Sequence, residues 1–339
     1  MNAAIDILRL VCVLLVVPRH CPYSHRVPIP PCGLVRNFEC FFSTFPSLDI
    51  LFFLSGFLFF VNLGPDADFC ASWLAKLRRR AATLFVPYLA WTTALFVWNA
   101  IFHRFPEWMS PSDIVHVLRF YIEGGFGLWY LKTLMIAALA APAYWLAFKA
   151  LGRFSVPVGL AICILRVSPV DRLFFNPWYF LGACLAFEGV DLNKAVRGLR
   201  RFLPAAFVAF LLFQTLRAAN VCIPRCVGFV PYLLAASFFS ACTGVDIRKY
   251  PRLRVMCEAS MFLYVSHIFV AWPVGRLVPV FIPLKSGVSA SAAFIVRTVL
   301  TIVADFALFL VLRKFAPKTL SVITGGRGSA SPGFSGRQG

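Results

Sequence analysis

Acidic residues are scarce in this chain, and so is charge of either sign. Asp and Glu number 14 among 339 residues, and charged residues are 14% of the total. A soluble domain averages about 25% charged and about 45–50% apolar. Here the apolar share is 60% and the mean hydropathy is +0.79. That balance excludes an ordinary soluble enzyme and points to a polytopic membrane protein. No C-x-x-C pair or metal-ligand spacing occurs, so the 11 cysteines read as small apolar fillers and no metal is expected. Cys222 and Cys226 form only a C-x-x-x-C pair. The N-terminus lacks a basic n-region and an A-x-A site, and Arg9 interrupts any apolar core, so no cleaved signal peptide is expected. There is no internal repeat. Gly124-Gly125-Phe126-Gly127 has too few glycines, wrongly placed, for a phosphate loop.

Basic charge is what remains, with a net +19. Its distribution argues against a nucleic-acid partner, because the basic residues sit in short loops between apolar spans, as the positive-inside rule requires. The apolar pattern predicts an all-α membrane protein, a polytopic bundle of about ten transmembrane helices. They fall at 4–20, 47–63, 82–102, 126–148, 154–167, 175–188, 202–219, 227–243, 257–275 and 289–312. Ten spans of about twenty residues use about 200 positions, so no soluble domain of normal size fits beside them. Lys76 to Arg80, Lys149 and Arg153, Lys194 to Arg201, Arg248 to Arg254 and the C-terminal basic residues outnumber those of the alternate loops. Both termini are therefore expected in the cytoplasm. Residues 1–318 read as one integral-membrane domain. Residues 319–339, Gly/Ser/Arg-rich toward the end, read as a disordered cytoplasmic tail. The longest outer loop, 21–46, is proline-rich and holds Cys21, Cys32 and Cys40, among which a disulfide is possible in an oxidising compartment.

Polar residues inside apolar spans are costly and mark candidate sites. Arg9 and His20 lie eleven residues apart in the first span. At ~100° per residue they return to within ~20° of one another, on one stripe, about 16 Å apart along the axis at ~1.5 Å per residue. The bland alternative has Arg9 snorkelling to the cytoplasmic headgroups and His20 at the opposite interface. Asp49 opens the second span at the level of His20. It suits either helix capping or orientation of an imidazole. Ser55-Gly56 suits close helix packing. Arg78, Arg79 and Arg80 suit a topology anchor or the phosphates of a nucleotide-bearing donor. Trp129 and Tyr130 fit an interfacial aromatic belt. Ser260, Tyr264 and His267 share one face of the ninth span, with His267 near mid-membrane. His25, His103 and His116 read as solvated.

Taken in order, Asp6 to His20, Asp49-Ile50-Leu51-Phe52-Phe53-Leu54-Ser55-Gly56-Phe57, Arg80 to Trp91, Leu128-Trp129-Tyr130-Leu131 and Ser260 to His267 resemble the signatures of a known family. It is acyltransferase type three, a family of bacterial integral-membrane acyltransferases. The resemblance covers residues 4–315. It implies a multi-pass protein of the bacterial cytoplasmic membrane that moves an acyl group, often acetyl, from acyl-CoA to a hydroxyl. The acceptor it implies is a cell-surface carbohydrate or its lipid-linked precursor. Acyl-CoA is then a co-substrate, acetyl-CoA first, with no permanently bound cofactor. The resemblance implies that Arg78–Arg80 take the donor phosphates and Arg9 binds the donor or polarises its carbonyl. His20 takes the acceptor proton, Asp49 orients it, and His267 serves a direct transfer or an acyl relay. Ser55, Trp129, Ser260 and Tyr264 support. The chain departs from the family at Thr83, where an Arg-x-x-Arg pair starting at Arg80 would place a second cation. It departs again at Arg19, which stands before His20 in place of an apolar or aromatic residue. No fused esterase-like domain is expected. The residues also admit a proton-coupled transporter or flippase, and an inactive partner of a polysaccharide assembly complex.

Overall fold

The computed structural model describes residues 3–23, 42, 45–64, 68–102, 105, 109–123, 125–165, 175–219, 221 and 225–326. Among them every regular element is helical. The helices, in chain order, are α1 (Ala3–Val16), α2 (Ser47–Phe60), α3 (Phe69–Arg80), α4 (Val86–Ile101), α5 (Ile114–Glu123), α6 (Gly125–Leu139), α7 (Ala141–Leu151) and α8 (Ser155–Leu165). They continue as α9 (Pro177–Phe187), α10 (Leu192–Val196), α11 (Leu203–Ala218), α12 (Val230–Cys242), α13 (Pro251–Phe281), α14 (Gly287–Phe315) and α15 (Pro317–Thr324). The chain forms two compact units. One is Met1–Leu51 with Asp191–Leu310, and the other is Phe52–Val190 with Val311–Gly339.

In the first unit α1 packs on α12 and α13, and α11 pairs with α12. α1 does not run as one α-helix to His20. Pro18 has no N–H to return to the preceding turn, and Val17–His20 tightens into a 3₁₀ turn closed by the Cys21 N–H donating to the Pro18 carbonyl at 3.0 Å. Four residues at ~120° in place of ~100° carry His20 roughly 80° further round than a continuous helix would. The single stripe expected for Arg9 and His20 is therefore not kept. α13 is longer than the expected 257–275, running 31 residues through Pro273 and Pro279.

α14 shows why this unit suits a bilayer. Its outward side chains are apolar, with Val299 and Val303 exposed, while Arg297, Thr301 and Asp305 are buried. Polar side chains inward and apolar side chains outward reverse the soluble pattern and match a lipid-facing helix.

In the second unit, the basic residues Lys76 to Arg80, expected in a loop, lie at the end of α3, which continues into α4 through a π-helical turn, Ala81–Phe85. The expected span 126–148 is instead two helices. Pro142, near the start of α7, lacks the N–H that would extend α6. α2 meets α9 at Gly56 and Gly182. A Cβ on Gly56 would collide with the Tyr179 carbonyl, and one on Gly182 with that of Phe53. Small residues permit this backbone approach, the packing role read for Ser55-Gly56. α5, ten residues long, is too short to span and was not among the expected helices. The boundary at 318 falls inside α15, where Leu320 and Thr324 are buried and the Ile323 carbonyl accepts from Trp91 Nε1 at 2.9 Å.

Among the described residues five helical segments are long and apolar enough to cross a membrane: Phe69–Ile101, Ala141–Leu165, Leu199–Arg217, Pro251–Phe281 and Gly287–Phe315. Shorter apolar helices include Ser47–Phe60, Pro177–Phe187 and Val227–Cys242.

Candidate functional site

The first unit gathers the polar groups of α1, α13 and α14. The 3₁₀ turn after α1 presents the His20 ring to the His267 ring on α13, with centroids 5.0 Å apart and planes tilted by 50°. His20, expected at the outer end of its span, and His267, expected near mid-membrane, thus share one level. His267 is 1% exposed. Its Nδ1 lies 3.0 Å from the Leu263 carbonyl oxygen, one turn back. A carbonyl only accepts, so Nδ1 carries the proton and Nε2 presents a lone pair. That Nε2 is buried and has no hydrogen-bond partner among the described residues. The Tyr264 ring stands 6.2 Å from His267, and Ser260 is buried one turn further back. The face expected to hold Ser260, Tyr264 and His267 is inside the protein.

The remaining expected residues of this unit have partners of their own. Arg9 lies 3.4 Å from Asp6, one turn earlier on α1, so its charge is balanced locally. The Asp49 carboxylate accepts a 2.6 Å hydrogen bond from the Tyr232 hydroxyl on α12. Cys21 is a free, buried thiol 4.0 Å from Thr301 Oγ1. Cys32 and Cys40 lie outside the described residues, as do His25 and His103. In the second unit, the His116 ring accepts from the Ser110 N–H at 3.1 Å.

Three features of this centre escaped the sequence reading. Ser266 Oγ is shared between Asp305 Oδ1 at 2.8 Å and the Phe262 carbonyl at 2.7 Å. Arg297 donates to the carbonyls of Ala271 and Pro22. Tyr232 reaches Asp49 across 183 residues of chain. Arg297, Thr301 and Asp305 follow one another by four, so a polar stripe on an otherwise apolar span was the available signal. Nothing local marks Tyr232.

The second unit holds the other expected residues. The Lys76 amine donates to the carbonyls of Phe59 and Val61, so it caps the end of α2. Arg80 lies over the Phe59 ring, 5.5 Å from its centroid, while Arg78 and Arg79 are exposed. Ser55 Oγ and Tyr130 OH are 3.0 Å apart. Phe52 packs on Tyr130 at 4.7 Å and on Trp129 at 5.9 Å. Trp129 is otherwise exposed, which suits an interfacial aromatic. Among the described residues no three His, Cys, Asp or Glu side chains gather to hold a metal ion.

Fold and site together define a membrane protein, all-helical among the described residues, with a buried polar centre built on paired histidines. Residues 2–312 match the family model of acyltransferase 3, described as an acyltransferase domain, and the chain belongs to that family. It is a membrane acyltransferase. No curated protein and no solved structure matches it.

Proposed function

We propose that this acyltransferase moves an acyl group, acetyl first, from acyl-CoA to a hydroxyl of a cell-surface carbohydrate or its lipid-linked precursor. It does so as a multi-pass protein of the bacterial cytoplasmic membrane, with about ten spans and both termini inside. The observation that carries the reading is the His20–His267 pair, whose rings are 5.0 Å apart beside an Nε2 lone pair fixed by the Leu263 carbonyl.

In the proposed reaction one nitrogen of His20 takes the proton of the acceptor hydroxyl as its oxygen bonds to the thioester carbon. The tetrahedral intermediate then collapses, the carbon–sulfur bond breaks, and the acyl group remains on the acceptor oxygen as an ester. CoA leaves as a thiolate, which needs little acid assistance because an unperturbed thiol has a pKa of about 8.5. The proton on His20 returns to that thiolate or to water. His267 packs its ring against that of His20 and so limits how the His20 imidazole can turn. This contact gives His267 an orienting role, while the Asp49 carboxylate accepts from Tyr232. Arg9, paired with Asp6 and about 16 Å along the helix axis from His20, binds the acyl-CoA donor at a distance from the reacting carbonyl. The exposed guanidinium groups of Arg78 and Arg79, with Arg80, take the donor phosphates.

Two measurements test the proposal. Purified protein should release free CoA thiol from acetyl-CoA in the presence of acceptor. Mass spectrometry should find one acetyl mass added to a surface glycan only in cells that make the protein. Solute uptake without acetyl-CoA consumption would favour a carrier instead. Unchanged glycans would remove the carbohydrate acceptor.

A further inference from the structure

A buried guanidinium joins the two segments that carry the histidines. Arg297 on α14 is 9% exposed. Its Nε and Nη2 donate to the Ala271 carbonyl at 3.3 and 3.1 Å, and its Nη1 to the Pro22 carbonyl at 3.3 Å. Ala271 is one helical turn beyond His267 on α13, and Pro22 is two residues beyond His20. The Tyr23 ring lies 5.0 Å from the guanidinium carbon, within cation–π range. The Tyr23 hydroxyl donates back to α13 at the Gly275 carbonyl, 3.1 Å away. Tyr23, Ala271, Val17 and Cys21 share a buried cluster. Gly275 is required for this arrangement, since a Cβ there would stand 2.6 Å from the Arg297 Cζ.

A buried arginine in a membrane span is costly, and this one spends three donor contacts on backbone carbonyls rather than on a carboxylate. Those carbonyls belong to the chain immediately after each histidine. A backbone clamp there sets how the 3₁₀ turn sits on α13, and hence the separation of the two rings. We propose that Arg297, with Tyr23 and Gly275, is a positioning device that holds His20 against His267. It acts through the backbone of residues 22 and 271 and does not touch the reacting groups.

The kinetic test rests on the acyl-transfer reading above. Arg297→Met should lower kcat by about 100-fold, the size of effect expected for a misplacement of about 1 Å, with KM for acetyl-CoA unchanged within about twofold. Arg297→Lys should not rescue, because a point ammonium cannot span both carbonyls as the planar fork does. Gly275→Ala keeps every charge yet should lower kcat in the same way by displacing the guanidinium. Added to Arg297→Met it should cause no further loss. Wild-type kcat in Arg297→Met, or single losses that multiply in the double variant, would overturn the proposal.

A second test needs no activity. In full-length protein carrying His20→Cys and His267→Cys, a short bis-thiosulfonate should bridge the two positions, as located by peptide mass spectrometry. Adding Arg297→Met, or Gly275→Ala where that variant accumulates poorly, should reduce the bridged fraction several-fold. An unchanged fraction would overturn the clamp. A reduced fraction in a protein that never consumes acetyl-CoA would sustain the clamp and refute the reaction.

Discussion

The Ser266–Asp305 hydrogen bond offers a prediction whose size follows from burial. Asp305 is 0% exposed, and Ser266 Oγ, 2.8 Å away, donates to one of its oxygens. Its other oxygen is buried without a partner among the described residues. Ser266→Ala removes the donor and admits no water in exchange. An ordinary hydrogen bond contributes about 0.5–1.5 kcal/mol net, and stranding a buried polar group costs about 1–3 kcal/mol. The two overlap, so the expected loss is about 2 kcal/mol, near 30-fold in the folded-to-unfolded ratio. Asp305→Leu removes the stranded group itself. The Ser266→Ala, Asp305→Leu double variant should therefore lie closer to wild type than Ser266→Ala does. Equilibrium unfolding in mixed micelles, following helicity, measures all four proteins. The reasoning fails where Ser266→Ala matches wild type, or where the double variant loses the sum of the two single losses.

Three further outcomes are expected. His267→Ala should lower kcat by about 10²-fold in the acetyl-CoA assay, within the range for a group serving acid–base chemistry, while the protein still accumulates in membranes. Arg78→Ala with Arg79→Ala should raise KM for acetyl-CoA about tenfold or more, as loss of charge-assisted contacts predicts, and leave kcat within about twofold. Gly182→Ala should destabilise by about 1–3 kcal/mol in micelle unfolding through overpacking against the Phe53 backbone, an effect absent at an exposed lipid-facing position such as Val303.

Part of the candidate site is legible in the chain because polar residues stand out in apolar spans. His20 and His267 stand out that way, and their rings lie 5.0 Å apart. Arg297 and Asp305 follow the same rule, as a polar stripe on an otherwise apolar span. Where helices break was partly visible. Pro18 and Pro142 each remove a donor and end a regular helix, but the apolar run on either side masked both. Pro273 and Pro279 show the reverse, since α13 continues through them. Partners distant in sequence leave no local trace. Tyr232 looks like any apolar-span tyrosine until α12 brings it to Asp49, and Gly275 looks ordinary until Arg297 fills the space beside it. α15 was hidden by the Gly/Ser-rich residues that follow it.

The most direct measurement is acyl transfer by purified His20→Ala beside wild-type protein at equal amount, followed as CoA thiol released from acetyl-CoA in single-turnover reactions. The proposed mechanism predicts a rate lower by about 10²–10⁴-fold, with acetyl-CoA still bound. A His20→Ala protein that transfers at the wild-type rate would contradict it.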